Sequence, residues 1–345
     1  MNSIARTLRD SVTDYCANVG ADSMLVQGAG GNASWKDDKT LWVKASGTWL
    51  AEAAQKQIFV PVDLTHLQSA ISLGNFQVTP NILGESSLRP SIETLLHALM
   101  PHRVVVHLHA IEILACLVRS NCDAQIRALV GTSLRWLNIG YFSPGADLAK
   151  AVSRSMKEIS EAEVVFLKNH GVVIGGESVE KVDEILKRLV TVFYTPPRIS
   201  RKVVEKVIAI SKLEQIEKLG YRMSSHRETN LLAQDGSLFE RMAVDWALYP
   251  DHVVFLGPKA LRFDCIDDFI SSCSSVELLP ELVFVRDIGT FEGEKFSPAQ
   301  KVQLKCYIDV MMRQADDVQL SSLTDEHIAR LLNWDAEKYR KMLSL

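Results

Sequence analysis

The stretch RVVVHLHA, residues 103 to 110, constrains this chain more than any other. Its β-branched run reads as a strand. Side chains alternate between the two faces of a strand, so His107 and His109 fall on the same side. Their roots are then about 6–7 Å apart, a workable spacing for two nitrogen ligands of one metal ion. Two readings fit the pair taken alone. In one, both imidazoles ligate a metal; in the other, one is a hydrogen-bonded core residue and the other closes the strand end.

Length sets the scale of the fold. At 345 residues the chain exceeds the usual single domain, so one large or two moderate domains are expected. An apolar fraction of 47% and a charged fraction of 23% suit a soluble globular protein. The formal net charge of -4, without a long Lys/Arg block, argues against a nucleic-acid partner or an anionic membrane surface. MNSIARTLRDSVTDYC reads as an amphipathic helix with Ile4, Leu8, Val12 and Tyr15 in one stripe, not as a signal peptide. VVVHLHAIEILACLV, the longest apolar stretch, is broken by two His and one Glu and is not a simple membrane span. Cys16, Cys116, Cys122, Cys265, Cys273 and Cys306 are scattered, with no C-x-x-C pair. They read as buried thiols of a cytoplasmic protein.

Helices and short strands alternate in the first half. GAGGNASW interrupts with three glycines, TLWVKASG and QIFVPV read as strands, and Asp63 is placed to cap a helix through Leu73. RPSIETLLHALMPH reads as a helix with Pro90 in its first turn. Next come a helix over Ile111–Arg119, one near Asp147–Ile159, and two strands hinged at Asn169–Gly171. SVEKVDEILKRLVTVFY is a helix halted by Pro196–Pro197, which marks a boundary between residues 1–197 and 198–345. The second part is α/β in pattern: HVVFLG and ELVFVRD read as strands, and helices fall around Ala299–Arg313 and Thr324–Leu332. Its His226, His252 and His327 are isolated and carry no motif.

Several residues carry candidate chemistry. His170, at a strand end before Gly171, can complete a three-histidine set with positions left open, as catalytic metal sites require; the alternative is an ordinary turn. Zn²⁺ is the default ion, and other first-row metals also accept imidazole. Glu93, read as a helix residue just before the His-x-His strand, could act as a general base; the alternative is a solvent-facing glutamate. His97 lies four residues on, as an orienting or structural partner. The glycines of GAGGNAS, with Asn32 and Ser34, could cradle a phosphate, and KASGTW adds Lys44, Ser46 and Gly47. Either loop could equally be a simple turn. The G-x-G-x-x-G spacing fails after Gly30, so no dinucleotide fingerprint is present.

The joint order is more specific than any piece. G-G-N-x-S, K-x-S-G, P-S-x-E, H-x-H and N-H-G before a helix resembles the class II aldolase/adducin family over about residues 5 to 195. RPSIETLLHALMPHRVVVHLHA and LWVKASGTWL look most like the aldolase module of bifunctional rhamnulose-1-phosphate aldolase/dehydrogenase proteins. The tail LLNWDAEKYRKML resembles the segment after that module in those proteins. The resemblance implies a three-layer α/β/α fold with a central, mainly antiparallel sheet, extended here by a C-terminal α/β part. It implies a zinc-dependent lyase acting on a sugar or sugar phosphate, with sites between subunits of a homotetramer. It makes His107, His109 and His170 the metal ligands and Glu93 the proton-transferring carboxylate. Asn32, Ser46, Gly47 and Ser91 fall where the family holds phosphate, and Tyr141 where a tyrosine enters a neighbour's site as an acid.

Two departures bear on this. Ile92 stands where simple sugar-phosphate aldolases have a second small hydroxyl residue, and Glu93 resembles the aldolase branch, not the epimerase branch with its Asp. The implied reaction is a retro-aldol cleavage through a metal-stabilised enediolate. An epimerase or dehydratase with the same ligands, or a non-catalytic adducin-like interaction module, are the competing readings.

Overall fold

Short β-branched strands alternating with amphipathic helices build a sheet held between two helix layers. The computed structural model describes residues 3–199, 203–275 and 280–335. Its elements begin α1 (Ser3–Ala21), β1 (Asn32–Asp37), β2 (Thr40–Lys44), β3 (Phe59–Asp63), α2 (Leu64–Ser72), α3 (Thr94–Leu99) and β4 (Val104–Leu108). They continue α4 (Ile111–Leu117), α5 (Cys122–Val130), β5 (Trp136–Ile139), α6 (Ala146–Ser155), β6 (Val164–Leu167), β7 (Gly171–Gly176) and α7 (Val179–Phe193). The seven strands lie in the order β3-β2-β1-β4-β7-β6-β5. Only β5 and β6 are parallel, so the sheet is mainly antiparallel, as expected.

β4 occupies the middle, and both of its faces are covered. Val104 and Val106 join Val12 of α1 and Ile185 of α7 in one apolar cluster. Val105 turns the other way, toward Leu96 and Val152 of α3 and α6. A strand buried on both faces explains the unbroken apolar run around His107.

The chain continues through α8 (Ile210–Lys218), β8 (Tyr221–Met223), α9 (Arg227–Gln234), α10 (Gly236–Arg241), α11 (Pro250–Leu256), β9 (Leu261–Phe263) and α12 (Ile266–Ser275). It ends with β10 (Leu282–Val285), β11 (Gly289–Gly293), α13 (Pro298–Met311) and α14 (Asp325–Asn333). A second sheet, β8-β11-β10-β9, has its own core around Phe269, Val283 and Phe291.

Helix α4 joins the two parts. Ile113, Cys116 and Leu117 pack into the first core, while Ile111, Leu114 and Val118 pack with Leu248, Tyr249, Tyr307 and Met311. A helix apolar on both faces must be covered on both, and here the C-terminal part supplies the second cover. Buried Glu112, on the same helix, accepts from Arg313 at 2.8 and 2.9 Å and from Thr195 N–H at 3.0 Å.

Local details depart from the sequence reading. HVVFLG is not a strand: α11 runs Pro250–Leu256, with every residue buried. Pro250 suits a helix start, and all-round burial outweighs the β preference of two valines. RPSI is not helical; α3 begins at Thr94, and Pro90 instead bridges Ala45. The helix expected to reach Ile159 stops at Ser155, and the GGNASW loop becomes strand from Asn32. α5 falls on a stretch for which no element was expected. Cys265 is exposed and Cys273 half-buried, so the thiols are not uniformly buried. Asp63 does cap α2, accepting from His66 N–H at 3.0 Å. No helix among the described residues is long and apolar enough to cross a membrane. Residues 336–345 of the tail motif lie outside the described residues.

Candidate metal centre

Three chain segments converge at one end of β4. His107 is its fourth residue, opposite Asn32 of β1 and on the Val105 face. His109 comes immediately beyond the strand, before α4 begins. His170 sits in the β6–β7 connection, next to Asn169, whose positive φ of 55° turns the chain. Asn tolerates that left-handed conformation better than most residues. Its side-chain amide donates to Leu248 O at 2.8 Å and to Ser321 O, so the C-terminal part braces the turn.

Gly171 makes the convergence possible. A Cβ there would lie 2.5 Å from Leu108 O and 3.0 Å from both His107 Nε2 and His109 Cδ2. Without it, the rings of His107, His109 and His170 stand 5.1, 4.7 and 5.4 Å apart by centroid. Each ring offers one nitrogen, and the three nitrogens lie within 4.8 Å of one another.

Glu93 is the N-cap residue of α3, not an interior helix residue. Ser91 Oγ accepts from its N–H at 3.2 Å, fixing the turn that aims the carboxylate inward. Glu93 Oε2 lies 2.8 Å from His107 Nδ1, and Oε1 lies 3.6 Å from His170 Nε2. Burial alone would raise its pKa; the His107 ring beside it and the hydrogen bond between them outweigh that and hold it below the usual carboxylate range. It is therefore an ionised base at neutral pH. Burial, then His107, pushes His170 down to about 3, so its imidazole is neutral and able to ligate. His97 is likewise pushed down to about 3, chiefly by burial, and its Nδ1 stands 2.7 Å from Ser34 Oγ.

The donor set fits a divalent ion. His107 Nε2, His170 Nδ1 and Glu93 Oε1 are buried without a hydrogen-bond partner among the described residues. Buried polar atoms left so are costly unless something else meets them, and a metal does. Neutral imidazoles with positions left open match a catalytic site more than a structural one.

A cleft opens beside the histidines. The Ala45–Pro90 bridge, with Ser46 N–H donating to Arg89 O at 2.9 Å and Ser91 N–H to Lys44 O at 3.1 Å, brings two loops together. Ser46, Gly47 and Ser91 line the cleft with buried Lys44, Glu93 and His170. Asn32 and Ser34 do not. Both are buried in β1, where Asn32 Oδ1 accepts from Ala33 N–H and Ser34 meets His97. The glycine turn ends at Gly31, and strand geometry takes these side chains into the layer beneath. Tyr141 is also outside this cleft, with its buried hydroxyl and its ring 4.6 Å from that of His327.

Asp251 escaped the sequence reading. It lines the cleft from α11, with Oδ2 3.5 Å from His109 Nδ1. In YPDHVVFLG it looks like an ordinary acidic residue near an apolar run, and no local pattern marks it.

Residues 10–194 match the class II aldolase and adducin N-terminal domain. The chain belongs to that family. The matched stretch ends one residue after α7 does. An uncharacterized oxidoreductase, YuxG of Bacillus subtilis (strain 168), is 28% identical over 178 residues, 47% of this chain and 25% of the relative. The chain therefore spans about a quarter of the length of that curated relative. Among solved structures, the N-terminal class II aldolase domain of a conserved protein from Thermoplasma acidophilum is 25% identical, with TM-score 0.46, over 53% of this chain and 91% of that one. An L-fuculose 1-phosphate aldolase is 20% identical, with TM-score 0.40, over 56% of this chain and 84% of that one.

Proposed function

We propose that this chain is a metal-dependent carbon–carbon lyase that cleaves a ketose phosphate by a retro-aldol reaction. The observation that carries this is Glu93: an ionised carboxylate touching two of three clustered histidines, at the edge of a cleft with anion-binding chemistry. His107, His109 and His170 would hold the ion, with Zn²⁺ the best match to three imidazoles. When bound, such an ion supplies Lewis-acid stabilisation of negative charge, worth several kcal/mol of barrier.

Cleavage between C3 and C4 leaves the bonding pair on the ketone fragment and releases an aldehyde. Ionised Glu93 is placed to take the C4 hydroxyl proton as the aldehyde forms and to return it to the carbon of the ketone fragment, so that the proton count closes. Ser46 and Ser91 hydroxyls, the Gly47 backbone and the Lys44 ammonium line the other side of the cleft and suit a phosphate. Gly47 has φ of 77°, which keeps that loop open to a close anion. Ile92 contributes no hydroxyl there, so Lys44 and the two serines carry the phosphate.

The test is product trapping. Purified protein loaded with zinc is offered ketose 1-phosphates, and release of a three-carbon ketone phosphate is measured beside the Glu93→Gln variant. Cleavage by the native chain, with turnover down about 10²–10⁴-fold in a variant that still holds zinc, supports the lyase. An isomerised sugar without cleavage would select the epimerase, and unaltered turnover in Glu93→Gln would remove Glu93 from the chemistry.

A further inference from the structure

We propose that Asp251, contributed by the C-terminal part, is a positioning residue that orients His109 for the metal. The proposal rests on the metal-centre reading above. His109 is the one histidine of the three whose nearby carboxylate is not Glu93. Both partners are buried, His109 at 5% and Asp251 at 2% exposure, so water does not screen the pair.

The surroundings are built around this approach. Gly30 faces both groups: a Cβ there would lie 3.1 Å from Asp251 Oδ2 and 3.2 Å from His109 Nδ1. From the other side, Gln303 of α13 donates from Nε2 to Asp251 Oδ2 at 3.4 Å and to Gln27 O at 3.5 Å. The side-chain amide of Gln27 in turn donates to His109 O at 3.4 Å. The His109 backbone, its ring and Asp251 thus belong to one buried polar chain that crosses between the two parts of the molecule.

An imidazole can ligate through one nitrogen only if the other keeps its proton, and a buried carboxylate beside that proton fixes both tautomer and ring direction. With Asp251 beside Nδ1, the nitrogen left for the ion is Nε2. At 3.5 Å the pair is longer than an ordinary hydrogen bond, and the proposed role requires it to shorten when Nδ1–H donates to the carboxylate. The C-terminal part then does more than cover α4: it helps set the affinity of a centre whose three ligands all lie in the family domain.

Metal binding, not turnover, tests this. Zinc affinity is measured by competition with a chromogenic chelator on the full chain and its Asp251→Asn variant, and cobalt is substituted to read the visible ligand-field spectrum. Asn keeps the volume and removes the charge. Loss of zinc affinity by about 10–100-fold, with an altered cobalt spectrum, is the expected result. Native affinity and an unchanged spectrum in Asp251→Asn would overturn the proposal and leave the metal centre standing. If the native chain itself binds neither ion, the metal centre falls and this role falls with it. Gly30→Ala is the second variant, should Asp251→Asn not fold. It keeps both side chains, sets a methyl 3.1 Å from Asp251 Oδ2, 3.2 Å from His109 Nδ1 and 2.9 Å from Gln27 O, and should also shift the cobalt spectrum; no shift there counts against the pair.

Discussion

The two parts of this molecule carry chemistry and packing in different proportions. Residues 10–194 hold the three clustered histidines, Glu93 and the serine-lined side of the cleft. Residues 203–335 hold no comparable cluster among those described, yet they complete the burial of α4, brace the Asn169 turn and place Asp251 against His109. A family boundary drawn where the motifs stop therefore does not coincide with the boundary of the packed unit. Recognisable spacing marks where reacting groups sit. Shared apolar surface marks what must fold together.

The largest effect should fall in the family domain. His170→Ala removes one of the three proposed ligands, and turnover should drop about a thousandfold or more if the ion's several kcal/mol are lost with it. Zinc content and rate measured together would check this; a variant that keeps both would break the assignment of chemistry to that part.

Next comes the seam. Leu114 is fully buried on the α4 face that meets the C-terminal part. Leu114→Ala should cost about 2–5 kcal/mol in chemical denaturation, as much as a cut into either core. One cooperative transition, lowered as a whole, would show that the parts unfold together. A variant that loses only one of two separate transitions would show that they do not.

Acid should strain both parts. Burial pushes His252 in the C-terminal part down to about 3, and His97 and His170 in the family domain are pushed to the same value. Each ionises near 6.5 once unfolded, so below that pH the unfolded chain takes protons that the folded chain refuses. Stability is then undiminished above pH 6.5 and falls as pH drops, by about 2 kcal/mol per histidine at pH 5. Melting of the metal-free chain at pH 7 and pH 5 reads the sum. His252→Gln should remove roughly a third of the fall; if it removes none, the C-terminal histidine is not excluded from protons.

The smallest effect is expected at Ser34, whose hydroxyl stands against His97. Ser34→Ala should cost about 1 kcal/mol of stability and leave phosphate affinity unchanged, because the residue lies in the sheet and not in the cleft. A clear rise in KM for a sugar phosphate would return Ser34 to the binding loop.

Much of the centre was legible because it depends on short-range order. His107 and His109 share a side through strand alternation, and His170 was recognisable beside its turn at Asn169–Gly171. The helix start ahead of Glu93 was misplaced, because Pro90 suits a helix start as readily as the bridge it makes with Ala45. Ser34 was read with the glycine loop although it lies in β1 against His97, because nothing local says where a glycine turn stops and a buried strand begins.

By itself, the sequence determined the alternation of strands and helices, the gathering of histidines at a strand end, and the family. These are local periodicities and spacings, and they survive without knowledge of distant neighbours. Only the tertiary structure decided that HVVFLG is a helix, that α4 has two covers, and that an acidic residue in that helix reaches His109. Such outcomes depend on which surfaces meet across more than a hundred residues of chain. There, burial on every side outweighs the modest local preferences that a sequence displays.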